Sequence, residues 1–225
     1  MKHWILGIAA LVSAASAAQA AVVFGVDENN NLVTFQSAQP GVLTSSIKIT
    51  GTGSTMLALD FRDSNGLLYG LGDDLRLYTI NTATGLASAV GGPLALTGSN
   101  FGFDFNTAID ALRIVSNDDS NYVVNPNTGA LTLTATPVAY GAGDVNAGAN
   151  PTITGNAYIH GTATQFAIDT TTDFLVRQAN NAGTLTSVGA LGVAVGPRTA
   201  FDIDFDGIGG LMKMGVEKGR STRGD

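Results

Sequence analysis

The sequence has no cysteine among its 225 residues and is poor in several other groups that carry enzyme chemistry. The absence of cysteine excludes disulfide bonds, thiol catalysis and thiolate metal sites. Two histidines and two glutamates leave few side chains that can act as a tuned base or acid. No segment after residue 20 is long and apolar enough to span a bilayer, so we predict no membrane insertion of the mature chain.

The first twenty residues have the pattern of a secretory signal peptide. Lys2 precedes an apolar, small-residue run over residues 4–18, and Ala18-Gln19-Ala20 forms an A-x-A cleavage site. We expect cleavage between Ala20 and Ala21. The mature protein is therefore predicted to be exported, to the periplasm or to the extracellular space.

Charge of one sign dominates the body of the chain. The whole sequence has 11 basic and 18 acidic residues, a formal charge of −7, and residues 21–206 hold six of the basic and sixteen of the acidic ones. Nucleic acids and anionic membranes are bound through basic patches, so this balance excludes them as partners. An extracellular protein or a glycan remains as a possible ligand class.

Against this background, a repeat is the clearest positive signal. Four predicted turns end in glycine, at Gly41, Gly85, Gly129 and Gly183, with steps of 44, 44 and 54 residues. The clearest copy, residues 57–91, contains four short runs of β-branched, aromatic and leucine residues separated by Gly, Asn and Asp. That pattern predicts a four-stranded antiparallel meander. Related copies begin at residues 101 and 153, while the N-terminal region supplies three strands.

The repeat predicts an all-β domain over residues 21–206. Sheets of about 44 residues cannot bury both faces alone, so we expect a complete or incomplete β-propeller-like array of about four blades. The first-strand motif recurs alone at residues 201–205, where it either completes the N-terminal sheet or opens a further blade. A β-sandwich is the alternative. Residues 207–225 are basic and lack a strand pattern, so we predict a disordered tail.

Five sequence words also resemble a known family. They are Leu77-Tyr78-Thr79-Ile80-Asn81 with Thr84-Gly85, Gly102-Phe103-Asp104-Phe105-Asn106, Arg113-Ile114-Val115-Ser116, and the segments 143–151 and 183–192. Together, over about residues 24–205, they resemble the bacterial exported family known as domain of unknown function 4394. The resemblance implies a secreted, propeller-like repeat domain and brings no reaction or ligand with it. Because Gly207 onward departs from the family pattern, we expect a truncated or frameshifted chain.

Three aspartates occupy one position of the first-strand motif. Asp60, Asp104 and Asp204 recur in this position, and a propeller brings equivalent positions of its innermost strands towards the axis. Three carboxylates there can bind a cation such as calcium through oxygen ligands. The alternative is that each aspartate satisfies backbone N–H groups, once per blade. No other cofactor is predicted.

The remaining candidates are a loop and a lone histidine. Asp144, Asn146 and Asn150 lie in a Gly/Ala/Asn-rich loop over residues 139–151, which can contact a ligand or simply form tight turns. His160 is the one histidine left after signal removal, and no Gly-x-Ser-x-Gly elbow accompanies it. We therefore predict no catalytic residue. The leading hypothesis is a non-enzymatic binding or surface-associated module, and the alternative is an extracellular hydrolase or lyase with an Asp-lined channel.

Overall fold

The computed structural model describes residues 21–197 and 199–203, in which regular structure is almost entirely β-strand. The strands are β1 (Val22–Val26), β2 (Asn31–Gln36), β3 (Leu43–Lys48), β4 (Met56–Arg62), β5 (Leu67–Gly72), β6 (Leu77–Ile80), β7 (Ala87–Val90), β8 (Phe101–Asn106), β9 (Ala111–Ser116), β10 (Asn121–Asn125), β11 (Ala130–Thr134), β12 (Ala139–Tyr140), β13 (Ile153–Tyr158), β14 (Gln165–Asp169), β15 (Phe174–Ala179) and β16 (Thr184–Ala190). A single 3-10 turn, Asn180–Ala182, precedes β16. The described residues contain no α-helix that could cross a bilayer.

The strands form four separate antiparallel sheets. The first sheet is β1-β2-β3, the second β4-β5-β6-β7, the third β8-β9-β10-β11, and the fourth β13-β14-β15-β16 with the short β12 added in parallel beside β16. The sheets are arranged as a four-bladed propeller. The predicted all-β, propeller-like fold is therefore confirmed, and the β-sandwich alternative is wrong because its two packed sheets are replaced by four small ones.

Apolar faces of neighbouring sheets pack against each other in chain order. Between the second and third sheets lie Phe101, Phe103 and Phe105 of β8 against Tyr69, Leu71 and Leu77, all buried. This packing follows from the period-two alternation of β8, which places its three phenylalanines on one face. Smaller clusters join the first sheet to the second and the third to the fourth. Each sheet thus buries the face that it could not bury alone.

The repeat is also visible in the backbone. A hairpin in each sheet contains a non-glycine residue with positive φ. These are the β1–β2 hairpin of the first sheet and the β5–β6, β9–β10 and β14–β15 hairpins of the other three. These residues are Asn30, Leu75, Asp119 and Asp173, with φ of 58°, 59°, 70° and 55°. A left-handed residue at the same place in all four sheets shows that the N-terminal sheet lacks the counterpart of β4, not the counterpart of β7.

Three of the four predicted turn glycines join one sheet to the next. Gly85, Gly129 and Gly183 have φ of 72°, 65° and 68°, and a Cβ on them would collide with backbone carbonyl oxygens of the segment that leaves the preceding sheet. Hydrogen bonds accompany these contacts: the Thr50 N–H donates to Gly85 O (3.0 Å), and the Ala139 N–H donates to Gly183 O (3.1 Å). Gly41 differs, since a Cβ there would meet nothing within 4 Å and no sheet precedes it in the chain.

The C-terminal end of the described part lies against the fourth sheet. Phe201 and Ile203 are buried against Ala157 and Ile168 of that sheet. Only residues 201–203 of the predicted first-strand motif are described, and they are not assigned to a strand. The predicted signal peptide (residues 1–20, including Ala20), Asp204 and the predicted tail (residues 207–225) lie outside the described residues.

We predict that Gly129→Ala lowers the free energy of unfolding by at least about 2 kcal/mol, because alanine resists positive φ and its Cβ would strike the Val90 carbonyl. Gly92→Ala is the matched control, since Gly92 follows Val90 and Gly91 in the chain and a Cβ there meets nothing within 4 Å. Urea unfolding of both variants measures the difference. Equal stability of the two variants would contradict the proposed contact between sheets.

Candidate functional site

Two of the predicted axial carboxylates connect neighbouring sheets. The Phe105 N–H of β8 donates to Asp60 Oδ2 (2.8 Å), and the Tyr158 N–H of β13 donates to Asp104 Oδ2 (2.8 Å). Each aspartate therefore binds the backbone of the innermost strand of the next sheet. In the fourth sheet, the residue before Tyr158 is Ala157, so that sheet has no carboxylate in this position.

A third aspartate, Asp202, also acts on Asp60 and Asp104. Asp202 raises the pKa of both Asp60 and Asp104 through its charge. The Ile203 N–H donates to Asp202 Oδ1 (2.7 Å), just as the Phe61 N–H donates to Asp60 Oδ1 (2.7 Å). Asp202 thus makes the same local hydrogen bond as Asp60, while Asp204, the residue predicted from the sequence, lies outside the described residues.

The surroundings of Asp60 and Asp104 favour the protonated form of both carboxyl groups. Burial is the largest cause that raises the pKa of Asp60, to about 8, and burial likewise raises the pKa of Asp104 well above its usual range. The charge of Asp60 raises the pKa of Asp104 further. Asp104 is only 6% exposed, whereas Asp60 keeps some contact with solvent.

Their hydrogen bonds bear on the predicted cation site. Both Asp60 and Asp104 accept backbone N–H groups, which compete with a cation for the same oxygen atoms. Within residues 21–197 and 199–203, no three histidine, aspartate or glutamate side chains are placed to hold a metal ion. A calcium site formed by Asp60, Asp104 and Asp204 stays a prediction, since Asp204 lies outside those residues.

A cleft lies where the turns after three innermost strands meet. We call it the axial cleft. It has a volume of about 260 Å³ and is lined by Asp63, Ser64, Phe105, Thr107, Asp110, His160 and Gly161. These residues belong to the β4–β5 and β8–β9 turns, the end of β8 and the β13–β14 turn, so three sheets contribute to it.

Two contacts hold the β13–β14 turn over the neighbouring sheets. His160 Nδ1 lies 2.8 Å from Asp63 Oδ2 of the second sheet, and the Gly161 N–H donates to Thr107 Oγ1 of the third sheet (2.8 Å). The imidazole is 65% exposed, so most of the ring remains available to solvent. His160 is therefore part of a cleft that joins three sheets.

A buried arginine fixes the opposite wall of the axial cleft. Arg62 donates to both carboxylate oxygens of Asp110, from Nε (2.8 Å) and from a terminal nitrogen (2.6 Å), and also to Asn127 Oδ1 (2.7 Å). The guanidinium holds the pKa of Asp110 below its usual range. The Ser64 hydroxyl donates to Asp110 Oδ1 (3.0 Å) as well. Asp110 is thus ionised and oriented by its neighbours.

The predicted ligand loop is pinned to the fourth sheet. Asp144 accepts hydrogen bonds from the Ser187 N–H (2.7 Å) and the Ser187 hydroxyl (2.6 Å), and the Asn146 amide donates to that hydroxyl (2.9 Å). These bonds hold the pKa of Asp144 below its usual range. Asn150 is exposed and makes no hydrogen bond through its side chain within the described part of the chain. The structure does not bring these three residues together around a cavity.

The third and fourth sheets meet across unusually polar faces. Arg113, only 4% exposed, donates to Tyr158 Oη (3.2 Å), Asn121 Oδ1 (2.8 Å) and Asn181 Oδ1 (2.7 Å), all of them neutral groups. The fourth sheet places further buried polar side chains on or near this face. Those with nitrogen or oxygen atoms that lack a hydrogen-bond partner among the described residues are Thr154, Asn156, Gln165 and Gln178.

The axial cleft includes four residues that sequence reasoning did not name: Asp63, Ser64, Thr107 and Asp110. Only the position of these residues in the repeat could have indicated that they lie together. Each follows an innermost strand, and in a ring of like-oriented sheets the turns that follow those strands share one end of the axis.

We predict that the free energy of unfolding decreases as the pH rises from about 5 to 9. The ordinary pKa of Asp60 is 3.8 and its folded value is about 8, so between these values the folded chain holds a proton that the unfolded chain has lost. The stabilisation is complete below the lower value and is lost as the pH passes the upper one. Asp60→Asn should flatten this dependence, since the amide oxygen still accepts the Phe105 N–H but does not titrate.

Thermal unfolding at pH 5.5, 7 and 9 measures this effect. Glu28→Gln is the control, because Glu28 is exposed and should leave the wild-type dependence intact. The pKa of Asp104 is raised by burial as well, so a reduced slope is expected for Asp60→Asn, not a flat line. An unchanged slope in Asp60→Asn would show that Asp60 is ionised in the folded protein.

We predict that Arg62→Met costs about 2–4 kcal/mol of stability, because it removes a bidentate ion pair whose guanidinium is buried. Arg76→Met is the matched control: its pair with Asp74 (3.3 Å) is partly exposed and should be worth about 0–1 kcal/mol. Urea unfolding compares the two. Similar losses in both variants would mean that the Arg62 pair has no special role.

Comparison of the sequence with known protein families finds a match. A family model described as domain of unknown function (DUF4394) matches residues 31–222. It continues past Gly207, so the expectation that the family likeness ends there is wrong: the basic composition of the last residues does not mark its limit.

A search of curated proteins finds no match. Among solved structures, a chain of the "Crystal Structure of Mitotic Checkpoint Complex" is similar, with 14% identity and a TM-score of 0.44. The alignment covers 80% of this chain and 54% of that one, so this chain spans about half the length of that structure. With the family model matched over most of its length, the chain belongs to the family described as domain of unknown function (DUF4394).

Proposed function

We propose that this protein is an exported, non-enzymatic binding module that takes up an extracellular protein or glycan in the axial cleft. One observation carries the proposal: the cleft is built from turns of three sheets whose positions are fixed to one another by side-chain contacts. A site held in this way loses little conformational entropy when a ligand binds.

The polar groups of the cleft suit a ligand rich in hydroxyl or amide groups. Asp63 and Asp110 supply carboxylate acceptors, while Ser64 and Thr107 supply hydroxyl groups. Phe105 lies at the floor and is 3% exposed, so the ligand would meet mostly polar atoms. The acidic body of the protein disfavours strongly anionic ligands at this end of the ring.

Side-chain hydrogen bonds in the cleft argue against catalysis. The Ser64 hydroxyl donates to Asp110, whereas a Ser-His relay requires the serine to donate to His160. Asp60 and Asp104, two carboxyl groups whose pKa is raised by burial, already accept backbone N–H groups. A proton donor tied in this way is poorly placed to protonate a leaving group.

An extracellular hydrolase or lyase with an Asp-lined channel is the second candidate. The contact between His160 and Asp63 favours it, because a carboxylate on Nδ1 orients an imidazole as a general base. The other imidazole nitrogen would then face solvent or substrate.

We predict that Asp63→Asn weakens ligand binding at least tenfold without loss of thermal stability, because Asp63 is 47% exposed and makes few fold contacts. The purified full-length chain is screened on an array of neutral oligosaccharides and against a displayed peptide library. Hits are then measured by calorimetry. Ser88→Ala, an exposed change on the outer strand β7, is the control and should bind as wild type does.

The same preparations separate the two candidates. If the array and the library give no hit that Asp63→Asn weakens, the axial cleft is not the binding site. Turnover of a glycoside or ester substrate that is abolished in Asp63→Asn and in His160→Gln, with unchanged melting temperature, would replace the binding module with the hydrolase.

A further inference from the structure

The outer half of the fourth sheet carries a second cleft, separate from the axial cleft. It has a volume of about 220 Å³ and is lined by Ala163, Arg177, Gln178, Ala179, Asn180, Thr184 and Thr186. On β15 and β16, Arg177 lies opposite Thr186 and Ala179 lies opposite Thr184. Because alternate residues of a strand share a face, these four side chains project from one side of the sheet.

Arg177 differs from the other basic residues of the described chain. Lys48 donates to Asn29 O, Arg62 and Arg76 pair with aspartates, and Arg113 is enclosed by neutral oxygens; these are all the other lysines and arginines within residues 21–197 and 199–203. The Arg177 guanidinium has no hydrogen bond or ion pair to another described residue and is exposed. Five N–H donors are therefore available on this face.

Two further hydrogen-bonding groups of the cleft are unused. The hydroxyls of Thr184 and Thr186 make no hydrogen bond within the part of the chain that the structure describes. The wall beside them is fixed, since the Asn180 amide donates to Ala163 O (2.9 Å) and Asn180 Oδ1 accepts from the Tyr158 hydroxyl (2.9 Å). Ala163 and Ala179 add methyl groups to the lining.

We propose that this cleft binds an acidic sugar, one uronic acid unit, through its carboxylate. A guanidinium fork matches a carboxylate with two parallel hydrogen bonds. Threonine hydroxyls match ring hydroxyls, and alanine methyls match the apolar C–H face of a sugar. The volume lies just below the usual range for small-molecule sites, about 300–1,000 Å³, which limits the ligand to a single small unit.

The proposed sugar site is independent of the axial cleft. The two clefts have no lining residue in common, and their local charge differs: Arg177 is the charged residue of this one, while Asp63 and Asp110 lie in the other. Binding at Arg177 would also weaken with rising salt, because the guanidinium is exposed and its attraction is screened.

Calorimetry of the full-length chain with galacturonic acid tests the proposal, with galactose as the neutral match and acetate and sulfate as simple oxyanions. We expect galacturonic acid to bind and galactose to bind at least tenfold more weakly. Arg177→Met should reduce galacturonic acid binding at least tenfold, and Arg177→Lys should reduce it less. Arg76→Met is the control with one positive charge removed elsewhere, and it should bind as wild type does.

A second variant keeps the arginine and tests the hydroxyls. Thr184→Val with Thr186→Val should weaken galacturonic acid binding while leaving any acetate binding unchanged. The proposal is overturned by a lack of galacturonic acid binding, or by equal binding in Arg177→Met. Sulfate or acetate binding as tightly as galacturonic acid would likewise overturn it, leaving only a simple oxyanion site. Asp63→Asn should not affect this binding, which separates failure here from failure of the proposed function.

Discussion

The unpaired edge of each innermost strand is the constraint around which the ring is organised. An innermost strand pairs with one neighbour in its own sheet, so half of its backbone N–H groups face the axis without a strand partner. Asp60 and Asp104 accept two of these groups from the following sheet. Burial at this position raises the pKa of both carboxyl groups, whereas the backbone hydrogen bonds themselves favour the ionised form. One residue type thus satisfies the edge and joins successive sheets.

The interfaces between neighbouring sheets are not equivalent. Between the second and third sheets, the phenylalanines of β8 give an apolar interface. The other face of the same strand presents Asp104 and Asn106 to the fourth sheet, where buried amides such as Gln165 and Gln178 lie. The alternation of side chains along β8 therefore gives one apolar interface and one polar interface. Buried polar groups without hydrogen-bond partners lower the free energy of unfolding. By its composition, the polar interface therefore contributes less to stability than the apolar one.

Much of the fold could be predicted from the sequence, because strands and turns leave local signals. Alternating apolar residues marked the strands, and the spacing of Gly85, Gly129 and Gly183 marked the units. Side-chain partners across sheets leave no such signal. The contact between Asp63 and His160 joins residues almost a hundred positions apart, and neither residue type nor spacing announces it. The packing of the last described residues is a further example: Phe201 and Ile203 are buried against the fourth sheet, and their sequence motif does not show which sheet they pack on.

The bonds between the segment leaving one sheet and the outer turn of the next have a consequence for assembly. Thr50 meets Gly85, and Ala139 meets Gly183, so each junction closes a loop of only a few dozen residues. Loops of that length close quickly and at modest entropic cost. Each sheet can dock on its predecessor as soon as its own outer turn exists. The ring is therefore suited to being built in chain order, one sheet at a time, as the polypeptide emerges.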